Sequence, residues 1–299
     1  MRPVDIVKKL CPHARPNYVA AFEQGDVLFA RAGITNKIRM CQFLARAFQE
    51  TGDLTIERES GNYTSADRIF QIFGVGHHSA AVTMAEARKL VGNGPALFER
   101  VYGLGNPSKA KELGNTRPGD GWLFRGGGIL QTTGGANYKA IGNKIGVDLY
   151  NHPEWTVSAE HALKPALQEW MDTGLNKYAD NDDTLAIGRG INIGNPRSTR
   201  TPNGYDDQVS WLRILKRNVD SVELTGITTT PDEEPHSVLW MQRSLNKLGY
   251  GPLNEDGQIG NLTRAAVKKF QSEHPPLVID GIPGPKTNDA LDAAVKAKG

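Results

Sequence analysis

Apolar residues recur at helical spacing through much of the first 219 positions. In NKIRMCQFLARAFQE (36–50), Ile38, Met40, Cys41, Leu44, Ala47 and Phe48 share a broad face, which predicts a buried helix. Thr64-Ser65-Ala66-Asp67 reads as a capped start for a helix carrying Ile69, Phe70 and Phe73. Thr83-Met84-Ala85-Glu86 fits the pattern in which a threonine and a glutamate satisfy each other's backbone N–H groups. Residues 157–178 and 205–219 are also read as helices. The stretch 104–137 breaks the pattern. It is glycine-rich and reads as a long functional loop, with Trp122, Phe124, Ile129 and Leu130 arguing for order.

Beyond residue 219 the pattern changes. DSVELTGITTTPDEEP (220–235) has no helical periodicity and reads as a linker. It separates a domain at 1–219 from one at 236–299. The second begins with an amphipathic stretch, SVLWMQRSLNKLGYG (237–251), ending at Gly249 or Gly251. An internal repeat follows. NEDGQIGNLTRAAVKKFQ and VIDGIPGPKTNDALDAAV align so that Asp256, Gly257, Gly260, Thr263 and Ala266 fall on Asp280, Gly281, Gly284, Thr287 and Ala290. Each copy reads as a turn leading into a helix, with a threonine near the helix start. Three short helices have little core, which suits a binding module. The fold class expected is all-α: a large helical domain plus a small three-helix bundle.

Composition narrows the function classes. The net charge is +2, so there is no strong field for nucleic acid. No apolar run approaches the roughly 20 residues of a membrane span. The N-terminal MRPVDIVKKLCPHARP lacks the apolar core of an export signal. Cys11 and Cys41 make neither a disulfide framework nor a zinc site and are read as reduced thiols. The seven histidines form no H-E-x-x-H, and Gly126-Gly127-Gly128 lacks the lysine of a phosphate loop. No metal and no cofactor are expected.

The candidate chemistry lies in QETGDLTIERESGNY (49–63), which holds Glu50, Asp53, Glu57 and Glu59. On one continuous helix, Glu50 and Glu59 would face opposite ways, about 13.5 Å apart along the axis. They can share a cleft only if the helix stops between them, and Gly52 offers a place to stop. Inverting glycoside hydrolysis uses such a pair, one acid protonating the leaving oxygen and one carboxylate activating water. Glu50, beside Phe48, is the expected acid. Glu59, beside Arg58, Ser60 and Gly61, is expected to be more exposed and ionised. Spacing does not separate Glu57 from Glu59, because both point to one side of an extended segment.

The ordered motifs ARAFQETGDL…ERESGNYTSADRIFQIF, GDGWLFRGGGILQTTGGANY (119–138) and GLNKYAD (174–180) resemble the lysozyme-like branch of glycoside hydrolase family 19. That branch includes plant-type chitinases and phage endolysins. The resemblance covers most of 1–219. It implies that Glu50 and Glu59, not Glu57, are catalytic, and that the Thr133 hydroxyl helps place the water. It puts Gln131 and Asn137 at the sugar, and Asn192 there more loosely. Tyr63, Trp122 and Tyr138 are read either as sugar-stacking rings or as core. The chain departs from the family pattern at Gln49 (histidine), Gly127 (arginine), Ile193 (glycine) and Gln208 (arginine). Over about 236–294 the chain resembles a peptidoglycan-binding domain with D-G-x-x-G-x-x-T repeats.

These resemblances imply a monomeric phage-type endolysin. It would be made in the host cytoplasm without a signal peptide and would reach periplasmic peptidoglycan after membrane permeabilisation. It would hydrolyse the glycan strand with inversion and lyse the host. A chitinase on the same fold, a lytic transglycosylase, and a wall-binding protein with a decayed catalytic half are the competing readings.

Overall fold

The computed structural model describes residues 1–225, 236–255, 257 and 259–298. Most of the expected linker, residues 226–235, lies outside them, as does Asp256 of the first repeat. Among the described residues the protein is all-α.

Seven helices form the first half of the larger unit: α1 (Pro3–Leu10), α2 (Pro16–Glu23), α3 (Asp26–Arg31), α4 (Lys37–Thr51), α5 (Ala66–Phe73), α6 (Met84–Leu90) and α7 (Gly94–Val101). The glycine-rich stretch then contributes α8 (Pro107–Leu113), α9 (Asp120–Leu123) and the start of α10 (Gly135–Ile145). Its reading as one long loop is therefore corrected. Asn106-Pro107 and Gly119-Asp120 restart the helix after turns, and no long apolar stripe marks such short pieces. The unit closes with α11 (Leu163–Asp172), α12 (Asn176–Asp180), α13 (Thr184–Ile193) and α14 (Tyr205–Asn218). The helix expected over 157–178 is thus two helices. Gly174, at φ +61°, ends the first in a left-handed turn.

Capping agrees with the sequence pattern. Ser65 accepts from the Arg68 N–H at the start of α5, and Thr83 with Glu86 forms the reciprocal pair at the start of α6. Helix α4 ends where Gly52 takes a left-handed φ of +51°, its N–H bonding the Phe48 carbonyl.

Two cores flank this break. The larger gathers Phe22, Phe29, Phe43, Phe48, Leu163, Leu167, Trp170 and Leu215 with their neighbours from α1–α4 and α11–α14. Edge-on contacts run from Phe29 to Phe43 (5.4 Å) and from Phe43 to Trp170 (5.5 Å), fastening α11 to α4. The smaller core holds Ile69, Phe73, Val82, Leu97, Phe98 and Val101 from α5–α7 and their connections. Segment 52–62 leads from one core to the other. Isolated bridges pair Arg58 with Gly127 and Gly127 with Thr132.

The C-terminal helices α15 (Val238–Leu248), α16 (Asn261–Glu273) and α17 (Pro285–Lys298) have their own core of Met241, Leu245, Val267, Phe270 and Leu291. The repeat here is a repeated lock. Buried Gln242 accepts from the Gly257 N–H (2.8 Å) and donates to the Thr263 hydroxyl (3.4 Å). Buried Gln271 accepts from the Gly281 N–H (2.8 Å) and donates to the Thr287 hydroxyl (3.2 Å). Gly257 and Gly281 have φ of +68° and +77°, which only glycine adopts without strain. The repeated glycines and threonines hold the turns onto the bundle.

Candidate active site

Glu50 lies in the last turn of α4, on the larger core. Arg46, one turn earlier and fully buried, donates an Nη2–H to its carboxylate. The other end of Arg46 reaches the Asn203 carbonyl (3.2 Å) and Gln208 Oε1 (3.4 Å). Gln208 is the position where the family pattern has an arginine. Here the cation beside the acid comes from α4, and a neutral amide accepts from it. Burial holds the Glu50 carboxyl above the usual range, against the pull of Arg46.

Glu59 lies against the smaller core. Its backbone N–H donates to the Gly126 carbonyl (2.8 Å), and Arg125 Nε donates to its carbonyl (2.8 Å). Burial pushes its carboxyl up to about 7, opposed by the Gly126 backbone, the Arg125 charge and a hydrogen bond from Tyr102. Glu59 is half-buried, as Glu50 is, and the expectation that it simply stays ionised is corrected. Burial, and after it the nearby Glu59 charge, raises the Tyr102 and Tyr63 phenols. These rings come from the end of α7 and the segment before α5; Tyr63 belongs to the Asn62-Tyr63 motif that follows Glu59, whereas no sequence pattern linked Tyr102 to it.

The segment 126–133 reaches Glu59 through Gly126 and Glu169 through Thr132. Gln131 has a left-handed φ of +51°, an uncommon backbone for a residue with a side chain. Its amide donates to the Gly128 carbonyl (2.8 Å). The Thr133 hydroxyl donates to the Gln131 carbonyl (2.9 Å), which leaves its lone pairs to accept from water. Gly126 keeps space here: a Cβ on it would lie 3.0 Å from Gln131 Oε1 and 3.4 Å from Thr133 Oγ1. Thr132 turns the other way and donates to Glu169 Oε1 on α11 (2.8 Å). Glu169 is an acid of this site that the sequence reading missed. Burial and then the Glu50 charge push its carboxyl up to about 8.

The remaining candidates divide. Asn137 is exposed on α10 and donates to the Thr133 carbonyl (2.8 Å). Asn192 is exposed and accepts from the Asn203 N–H (3.1 Å), which supports the carbonyl that Arg46 binds. Tyr63 is half-buried and packs edge-on to Phe73 (5.6 Å). Trp122 is half-buried beneath the Arg125 guanidinium, 3.6 Å from its ring centre. Tyr138 is fully buried, its hydroxyl donating to the Arg125 carbonyl (3.1 Å). It is core. Gly127 has no room for the family's arginine, since a Cβ would come within 2.8 Å of that hydroxyl and 3.4 Å of Arg58 Nε. Gln49 packs against Gly204 with its Oε1 buried and unpartnered. Asp53 is held by a hydrogen bond to Trp211, a place in the turn after α4. Cys11 and Cys41 are free and buried. Among the described residues no group of acids, histidines or cysteines could hold a metal ion.

Known proteins match both parts of the chain. Residues 235–291 match a family described as putative peptidoglycan binding domain. Over 211 residues the chain is 28% identical to a glycosyl hydrolase family 19 domain-containing protein of Haemophilus influenzae, covering 69% of this chain and 92% of that protein.

Proposed function

We propose that this protein is an endolysin-type glycoside hydrolase that cuts β-1,4 bonds of the peptidoglycan glycan strand with inversion. Glu50 protonates the leaving oxygen, Glu59 activates water, and the Thr133 hydroxyl helps hold that water. Gln131, Asn137, Tyr63 and Asn192 serve the sugar subsites. One observation carries the reading: Glu50 and Glu59, two acids with raised proton affinity, sit on separate cores on either side of the Gly52 break, and Glu59 is tied to the 126–133 segment through Gly126. General acid catalysis needs a carboxyl that keeps its proton, and burial supplies it. The match to a peptidoglycan-binding family supports peptidoglycan over chitin. We assign hydrolysis to residues 1–219 and wall attachment to 236–299, joined through 220–235. Attachment raises the local concentration of the hydrolase at its polymer. In this reading the protein acts as a monomer in the periplasm, after synthesis in a host cytoplasm and permeabilisation of the membrane, and lyses the cell. No helix among the described residues is long and apolar enough to cross a membrane.

The deciding experiment is mass spectrometry of digested peptidoglycan, run beside chitin oligomers. Reducing-end products from peptidoglycan support the proposal. Anhydro products would show a transglycosylase, and cleavage of chitin alone would show a chitinase. Absence of products would point to a decayed enzyme.

The Arg46–Glu50 ion pair favours one second reading, with the two roles exchanged. A carboxylate held by a guanidinium suits a base, and a carboxyl near 7 suits an acid. Small-molecule rescue separates the two. Azide restores a variant lacking the base, and an activated aryl leaving group restores one lacking the acid.

A further inference from the structure

The turn that carries Thr133 is held on its two sides by different means. Toward Glu59 the ties are backbone bonds: the Glu59 N–H donates to the Gly126 carbonyl, and the Gly128 N–H donates to the Glu57 carbonyl (2.9 Å). The turn closes on itself through the Gly127 N–H on the Thr132 carbonyl (3.1 Å) and the Gln131 N–H on the Gly128 carbonyl (3.2 Å). On the other side Ile129 and Leu130 join the larger core. Apolar packing places them but has no direction. The directional tie to α11 is the Thr132 hydroxyl, which is buried and donates to Glu169 Oε1 at 2.8 Å. Glu169 stands on a fixed support. Its neighbour Trp170 is fully buried, packs edge-on to Phe43 and donates its indole N–H to Asn176 Oδ1 (2.8 Å).

We propose that Thr132 and Glu169 are positioning residues, whose hydrogen bond orients the turn so that the next hydroxyl, on Thr133, meets the attacking water. This rests on the proposed role of Thr133. Successive side chains of extended backbone point to opposite sides, so an orientation imposed on Thr132 is passed to Thr133. Thr133 lies by Gly126, whose carbonyl accepts from the Glu59 N–H, while Thr132 points to α11. The turn needs the anchor. Gln131 holds a left-handed φ of +51°, and such strain persists only where the surroundings over-determine it. Without the bond to Glu169 the turn can relax at Gln131 and carry Thr133 away from the water. Burial pushes the Glu169 carboxyl up to about 8, so at neutral pH the protonated form accepts through its carbonyl oxygen. Glutamine at this position keeps both the acceptor and the neutral charge.

The test is steady-state hydrolysis of soluble peptidoglycan fragments by the full-length protein, with mutant cycles through Thr133. Thr132→Val should lower kcat about tenfold and leave KM within about twofold, because the loss falls on the orientation of water and not on the binding of sugar. Glu169→Met keeps the length of the side chain and removes the acceptor, and it should do the same. The two changes together should cost no more than either alone. Thr132→Ser and Glu169→Gln each keep the bond and should hold kcat within about twofold of the parent. In a Thr133→Val background, Thr132→Val should cost less than about twofold, since no hydroxyl is left to position. An equal factor in both backgrounds would show a merely structural Thr132 and overturn the proposal. A parental kcat for both Thr132→Val and Glu169→Met would overturn it as well. If one of these variants does not fold, the other carries the cycle. Thr133→Val alone separates the two failures. If it is impaired while the factors are equal, only the positioning role falls. If it matches the parent, the role of Thr133 falls and the proposal with it.

Discussion

Arg46 and Glu50 lie one turn apart on the same helix and form an ion pair, with Arg46 fully buried. Removing the cation leaves a mostly enclosed carboxyl without its partner. Arg46→Met should lower unfolding stability by about 3 kcal/mol. It should also raise the proton affinity of Glu50. Chemical denaturation at pH 7 checks the first effect, and an alkaline limb of activity moved to higher pH checks the second.

Loss of either proposed catalytic acid should be severe. Glu50→Gln and Glu59→Gln should each reduce hydrolysis of peptidoglycan at least about a hundredfold, the range of general acid–base catalysis. Glu57→Gln should stay close to the parent. Equal losses at Glu57 and Glu59 would show that the choice between them is wrong.

Activity should fall as pH drops through about 7, because Glu59 must be ionised to act as a base and burial holds its carboxyl there. The sign for stability is opposite. Carboxyls raised to about 7 at Glu59 and about 8 at Glu169 bind protons more tightly folded than unfolded, where 4.5 is usual. Their contribution is fully present below about 4.5 and is lost as pH rises through 7 and 8. The melting temperature should therefore decline from pH 5 to pH 8.5, and Glu169→Gln should flatten the decline. A midpoint that rises over this interval in the parent but not in the variant would contradict the assignment.

Placing at position 127 the arginine found in the glycoside hydrolase family 19 pattern should harm the protein. The new Cβ meets the hydroxyl of Tyr138, a fully buried ring that cannot swing aside. Gly127→Arg should cost about 1–3 kcal/mol of stability, as overpacking does, without improving turnover. Thermal unfolding beside a peptidoglycan assay measures both.

The Gln271 lock predicts a loss confined to wall attachment. Gln271→Ala strands the Gly281 N–H and the Thr287 hydroxyl. It should lower stability by about 1–3 kcal/mol. Sedimentation of the full-length protein with insoluble peptidoglycan should weaken. Cleavage of short soluble glycan fragments should change little.

Much of this was legible before the structure. The apolar face of 36–50, the stop at Gly52 and the caps at Ser65 and Thr83 are local signals, and each appears where the pattern puts it. The α-helical class follows from them. Tertiary contacts were not legible. Tyr102 reaches Glu59 from 43 positions away, and Glu169 meets the Thr132 hydroxyl from 37 positions away. The Arg46–Glu50 pair could have been read from its four-residue spacing, had Arg46 not stood inside an apolar face that looked like plain core. The burial of Glu59 was misjudged because its sequence neighbours are polar, whereas the residues that enclose it are distant.

The origin of the cation on α4 has a mechanical consequence. An ion pair internal to one helix travels with that helix. Asn203 and Gln208, which close the far side of Arg46, offer it only neutral oxygens at 3.2 and 3.4 Å. The contacts they make can be broken without pulling unlike charges apart. Compliance on that side and rigidity at the acid are thereby separated.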